Sequence, residues 1–168
     1  MDSKTSSKLF PVSWDQFHRD SKALAWRLAD KGDWSAIIAV TRGGLVPSAI
    51  VARELNVRII ETICVTSYNP EHQRGDIEVL KKISDNLLSD PKFKPDTILC
   101  IDDLVDTGST MAVVKDMIPN AHIATVYAKP EGLYNVDTFI TEVSQDTWIY
   151  FPWDTELQFA PPINPSGV

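Results

Sequence analysis

The chain has 168 residues, 43% of them hydrophobic and 23% charged, a length and make-up that suit a single folded domain over 1–168 with its own core and leave no case for disorder beyond the ends. The formal net charge of −7 excludes a general nucleic-acid binder, which needs a basic face to displace counterions from phosphates. No apolar run approaches the ~18 residues that span a bilayer, and no charged stretch leads into an apolar segment at the start; the expectation is a cytoplasmic protein, with peripheral association at a membrane surface left open.

Residues 1–8 are polar and read as a frayed end. Ser13-Trp14-Asp15-Gln16 has the Ser-x-x-Gln form of a capping box, and Trp14, Phe17, Leu24, Ala25 and Leu28 recur at helical spacing up to Gly32. That spacing predicts an amphipathic helix with its aromatics on the core side. Ala36 to Val40 reads as a buried strand, Thr41-Arg42-Gly43-Gly44 as a turn, and Pro47 to Leu55 as a helix ended near Asn56. Arg58 to Thr66 is rich in β-branched residues and predicts a second strand. Ser67 to Asp76, with Tyr68, His72 and Arg74, predicts a polar surface loop. Ile77, Leu80, Ile83, Leu87 and Leu88 stand at helix-compatible intervals, predicting a helix over 77–88, and Ser89 to Asp96 punctuates the chain after it.

The apolar run Ile98-Leu99-Cys100-Ile101 suits a strand buried on both faces and ends in Asp102-Asp103, with Asp106 close behind. Thr107-Gly108-Ser109-Thr110 then opens a helix reaching Ile118, and the backbone N–H groups of such a turn suit an anion. Three acids beside it repel phosphate, which implies a divalent cation between them. His122 to Ala128 predicts a strand ending at Lys129-Pro130. Asp137 to Val143 and Thr147 to Phe151 are short β segments, and with the proline-rich tail they predict a small β-rich hood over 136–168. Cys64 and Cys100, both in apolar runs, read as free buried thiols in a reducing compartment.

Strands alternating with helices predict an α/β fold, a mostly parallel doubly wound sheet flanked by helices, with sites at the carboxyl ends of strands. Four candidate positions follow strands: Arg42-Gly43, the 67–76 loop, Asp102 to Thr110, and Lys129. Carboxylates directly after a buried strand are costly unless used.

Ile101-Asp102-Asp103-Leu104-Val105-Asp106-Thr107-Gly108-Ser109-Thr110 resembles the signature of the type I phosphoribosyltransferases, which bind phosphoribosyl pyrophosphate. Thr41 to Pro47, Ala128-Lys129-Pro130 and Asp146-Thr147-Trp148-Ile149 are similar to the family's xanthine- and guanine-using branch, and the likeness runs from about residue 12 to residue 162. The resemblance implies that Asp102 and Asp103 hold the ribose hydroxyls, with Asp103 at a Mg2+ ion, and that Thr107, Gly108, Ser109 and Thr110 cradle the 5′-phosphate. It implies that Arg42, Gly43 and Arg74 hold the leaving diphosphate, Arg74 from a closing loop. Asp106 would manage the proton at purine N7, Lys129 would donate to the 6-oxo group, Trp148 would stack on the base, and Ile149 would contact its C2 side. Asp106 and Arg74 are thus the candidate catalytic residues.

The implied substrates are phosphoribosyl pyrophosphate with guanine or xanthine, and hypoxanthine more weakly; the implied assembly is a homo-oligomer, dimer or tetramer. Ser109 stands where relatives carry glycine, and 84–95 is longer than in relatives. A hypoxanthine-preferring enzyme and a non-catalytic nucleotide-binding regulator remain alternatives. A prenyl-diphosphate enzyme would carry its Asp-Asp-x-x-Asp on a helix of a larger all-α protein. His18, His72 and His122 match no catalytic role.

Overall fold

The structure, a computed structural model, describes residues 8–67 and 77–154. In chain order the elements are β1 (Lys8–Pro11), α1 (Trp14–Ala29), β2 (Ala36–Thr41), α2 (Leu45–Leu55), β3 (Ile60–Ser67), β4 (Ile77–Lys81), α3 (Asp85–Ser89), β5 (Ile98–Val105), α4 (Ser109–Met117), β6 (His122–Ala128), β7 (Thr138–Glu142) and β8 (Thr147–Tyr150). Short 3-10 helices cover Pro95–Thr97 and Pro130–Asn135. Six strands form one sheet in the order β4-β3-β2-β5-β6-β7, parallel throughout except for β4 at the edge. The chain turns outward in opposite directions from β2 and β5, so the crevice at their carboxyl ends is the topological switch point where ligands of such sheets bind.

The uninterrupted apolar runs of β2 and β5 follow from burial on both faces. Alternate residues feed opposite layers. Ile37, Leu99 and Ile101 pack with Phe17, Leu24 and Leu28 of α1 and Val51 of α2, whereas Ile38, Val40 and Cys100 pack with Met111 and Val114 of α4 and Leu87 of α3. Ser13 caps α1 as its sequence predicts, its hydroxyl accepting from Gln16 N at 3.1 Å. Phe17 is fully buried, but Trp14, expected on the core side, is exposed at the first turn with its ring 6.0 Å from that of Trp153. Asn56 ends α2 in the left-handed region, φ 56°. Both cysteines are free; Cys100 is buried, its thiol pushed up to about 12 by desolvation and then by the charge of Asp137, while Cys64 is only half-buried.

Beyond Trp14 and Cys64, three more expectations change. The predicted helix over 77–88 is instead strand β4 followed by a break and the five-residue α3. Ile77 and Val79 alternate with Glu78 and Leu80 as well as they fit a helix, and pairing β4 against β3 satisfies edge backbone groups that a helix would leave open. Lys81 Nζ then bonds Glu61 Oε1 across the pair at 2.7 Å. The hood also draws on both ends of the chain: β7 joins the main sheet beside β6, and β8 pairs in parallel with β1 in a two-stranded sheet. Lys8, placed in the frayed end by its polarity, opens β1 because the register Lys8 to Thr147 gives its backbone a partner. No helix among the described residues is long and apolar enough to cross a membrane.

Candidate active site

Strand β5 runs four residues past its apolar half, so Asp102 and Asp103 lie within the strand rather than after it. Asp103 N donates to Asp102 Oδ1 at 2.9 Å. Desolvation, reinforced by the charge of Asp103, holds the Asp102 carboxyl well above the usual carboxylate range. Desolvation likewise pushes Asp103 up to about 6, outweighing its hydrogen bonds, with the charge of Asp154 adding to the rise. No lysine or arginine among the described residues forms an ion pair with either.

That pair fits a hard divalent cation which keeps part of its water and takes other oxygens from a phosphorylated ligand. Among the described residues no three acidic, His or Cys side chains converge to hold an ion unaided, so a site here would be completed by the ligand.

Facing the pair is the turn after β2. A Cβ at Gly43 would overlap the Asp103 carboxylate, so the missing side chain lets the two segments meet. Gly44 N donates to Val40 O at 2.8 Å, and the Thr41–Arg42 peptide is cis. Between them lies a cleft of ≈ 610 Å³ lined by Thr41, Arg42, Gly43, Asp102, Asp103, Thr110, Trp153 and Asp154 among others.

Beyond β5, the chain turns at Gly108, φ 83°, a conformation that glycine adopts without steric cost. The 3-10 turn Pro130–Asn135 braces this loop: Asn135 Nδ2 donates to Gly108 O at 2.9 Å, and the Tyr134 hydroxyl to Thr107 O at 3.3 Å. Thr107 Oγ1 and Ser109 Oγ stand 3.0 Å apart. A pocket of ≈ 130 Å³ over the start of α4 is lined by Asp102, Asp106, Thr107, Gly108, Ser109 and Thr110, with Leu104, Val105 and Met111 behind. The unpaired amides of a helix start favour an anion there.

A third pocket, ≈ 290 Å³, adjoins both and is lined by Asp103, Leu104, Asp106, Lys129, Trp148, Ile149, Phe151 and Asp154. Lys129 follows β6, its backbone N–H donating to Val105 O at 2.9 Å. Its side chain, only 6% of the residue being exposed, bonds Asp106 Oδ2 at 3.2 Å. Gln145 Nε2 donates to the other oxygen, Oδ1, at 2.7 Å. Along β8, Trp148 is 60% exposed and Ile149 buried, so Trp148 belongs to the pocket wall rather than to the core.

Arg42, Gly43, Asp102, Asp103, Asp106, Thr107, Gly108, Ser109, Thr110, Lys129, Trp148 and Ile149 therefore line three adjoining pockets, Trp148 and Ile149 from the two-stranded sheet and the rest from the carboxyl ends of the main sheet. Arg74, with Tyr68 and His72, lies outside the described residues. His122 sits at the opposite end of β6, bonded to the Thr138 hydroxyl at 2.8 Å. Sequence reasoning missed Gln145, Phe151, Trp153 and Asp154. An acid placed just past the last predicted strand gave Asp154 a faint signal; a lone glutamine in a polar turn gave none.

A model of the phosphoribosyl transferase domain matches residues 13–160. Among solved structures, a purine phosphoribosyltransferase from Pyrococcus horikoshii superposes with a TM-score of 0.71 at 24% identity, covering 91% of this chain and 98% of that one. A xanthine-guanine-hypoxanthine phosphoribosyltransferase from Helicobacter pylori gives 0.67 at 26% identity, covering 87% and 94%. A hypoxanthine-guanine phosphoribosyltransferase from Bacillus anthracis gives 0.60 at 22%, covering 79% and 80%.

Proposed function

The chain belongs to the phosphoribosyl transferase family, of type I, and from that premise we propose that it joins an oxopurine to phosphoribosyl pyrophosphate, releasing diphosphate and a nucleoside 5′-monophosphate. The favoured bases are guanine and xanthine, with hypoxanthine weaker. The observation that carries the reading is the adjacency of three pockets, joined pairwise by Asp102, Asp103 and Asp106, each of which lines two of them. One suits a diphosphate, one a phosphate and one a flat base.

In this reading the amides and hydroxyls of Thr107 to Thr110 hold the 5′-phosphate, with Gly108 allowing close backbone approach. Asp102 and Asp103 take the ribose hydroxyls. Arg42, the Gly43 backbone and Arg74 hold the leaving diphosphate, and closure of the segment carrying Arg74 keeps water from the ribosyl carbon. Asp103, with Asp102 beside it, would hold Mg2+, which when bound would supply positive charge to the leaving diphosphate.

The base lies against Trp148, with the Ile149 backbone at its C2 side, while Lys129 donates to the 6-oxo group and so selects against a 6-amino base. As the bond from C1′ to diphosphate oxygen breaks, N9 bonds to C1′ and the ring proton leaves through N7 to Asp106; proton handling of this kind is worth about 10²- to 10⁴-fold in rate. The reading includes a cytoplasmic dimer or tetramer.

A hypoxanthine preference is the second reading, because structures similar to this chain carry names with hypoxanthine as well as names with xanthine and guanine. Incubating the protein with phosphoribosyl pyrophosphate, Mg2+ and each of guanine, xanthine, hypoxanthine and adenine separates the two. The expected result is nucleotide formed fastest from guanine and xanthine, more slowly from hypoxanthine, and none from adenine. No product from any oxopurine would overturn the enzyme reading.

A further inference from the structure

Asp106 stands on an irregular loop with about half of its side chain exposed, yet the proton it receives in the reading above requires one of its oxygens at a fixed point beside the base. Two donors hold it. Lys129 Nζ is 3.2 Å from Oδ2, and Gln145 Nε2 is 2.7 Å from Oδ1. They are not equivalent, because in that reading Lys129 leaves Oδ2 for the 6-oxo group, whereas Gln145 stays on Oδ1. Oδ2 is then the oxygen released to take the proton.

Gln145 is itself fixed. Its Oε1 accepts the Glu131 N–H at 3.1 Å, so its amide can turn only one way: reversed, it would set a carbonyl against the Asp106 carboxylate and an NH2 group against an N–H. The turn that carries it is closed by Thr147 N to Ser144 O at 2.9 Å and by Ser144 Oγ to Asp146 Oδ1 at 2.6 Å. Just before it, Val143 N donates to Ala128 O at 2.9 Å, tying the segment to the end of β6. The chain from the Glu131 backbone through the Gln145 amide to Asp106 Oδ1 is therefore continuous and directional.

We propose that Gln145 is a positioning residue which clamps Oδ1 of Asp106, presents Oδ2 to the purine N7, and keeps the carboxylate in place when Lys129 turns to the base. The inference rests on the reading of Asp106 as the group that faces N7. Gln145 does not touch the reacting atoms; its effect passes through Asp106.

The test compares wild type, Gln145→Met and Gln145→Glu at neutral pH in the oxopurine assay, varying base and phosphoribosyl pyrophosphate separately. Gln145→Met keeps the volume and removes both hydrogen bonds. Gln145→Glu still accepts the Glu131 N–H, preserving the turn, but sets a second carboxylate against Asp106. Both are expected to lower kcat by on the order of 10- to 100-fold, with KM for phosphoribosyl pyrophosphate nearly unchanged and Gln145→Glu the poorer of the two. Wild-type kcat in Gln145→Glu would reduce Gln145 to a prop for its turn and overturn the proposal, as would unchanged kcat in Gln145→Met. If Gln145→Met fails to fold, Gln145→Glu decides alone. A wild-type protein inactive with every oxopurine overturns the enzyme reading and this inference together, whereas an active wild type beside unaffected variants overturns only the inference.

Discussion

At the amino-terminal ends of the parallel strands, polar groups are partnered within the protein. Asp137 Oδ2 accepts the Ile123 N–H at 2.7 Å, Ser35 Oγ meets Thr97 Oγ1 at 2.6 Å, and His122 bonds Thr138. At the carboxyl ends of the same strands, Asp102 and Asp103 lie side by side with no cation paired to them among the described residues, and their carboxyls are held above the ordinary range by desolvation. Both edges close the same sheet, so the difference is not one of fold. An edge whose charges are already answered serves stability; an edge that leaves them unanswered is built for something that arrives from outside.

The contrast is broken most directly at Asp106. Asp106→Asn keeps the shape and loses the proton acceptor, so kcat should fall about 10²- to 10⁴-fold while affinity for phosphoribosyl pyrophosphate, measured by titration, stays nearly constant. Matched loss of affinity alone would reassign Asp106 to simple binding. Next comes Gly43→Ala, whose added Cβ would occupy the place of the Asp103 carboxylate. Turning Asp103 aside should raise KM for phosphoribosyl pyrophosphate by on the order of tenfold, equivalent to about 1.4 kcal/mol, with secondary structure unchanged by circular dichroism.

A smaller effect concerns stability and pH. Asp103 titrates near 6 in the fold against about 3.9 in an unfolded chain. The folded state therefore holds the extra proton between those values. The stability this group contributes is fully present below about pH 4 and is lost as pH rises through about 6. At pH 7.5 the ligand-free Asp103→Asn protein should then be more stable than wild type by on the order of 1–3 kcal/mol in urea unfolding, with the gain vanishing near pH 4. An Asp103 already answered by a protein cation would give no such gain. The smallest effect lies at the other edge: Asp137→Ala removes the partner of Ile123 N and should cost about 1–2 kcal/mol, while kcat and KM stay as in wild type.

Much of the active edge was legible because buried parallel strands are written as unbroken apolar runs, and Ile98 to Ile101 stops abruptly at two acids. The glycines at 43 and 108 were legible as turn-makers, and Lys129 as a cation left at the end of a strand. The segment 77–81 was not, because Ile77 and Val79 fit a two-residue period while Ile77 and Leu80 fit a helical one, and the choice is made by the open edge of β3. Nor was β1, whose Lys8-Leu9-Phe10-Pro11 has too little pattern to predict a partner 139 positions further along at Thr147. Gln145 was invisible for another reason: its role depends on the Glu131 N–H and the Asp106 carboxylate meeting from either side, and neither is near it in sequence.

The parallel pairing of β1 with β8 sets Leu9 opposite Trp148 and Phe10 opposite Ile149, with the Phe10 ring 6.0 Å from the centre of Tyr127. The first strand of the chain thus splints the two residues proposed to grip the base. An affinity tag or fusion partner joined directly ahead of Lys8 would pull on that splint, and a linker long enough to let β1 seat itself belongs in any fusion used to compare purines.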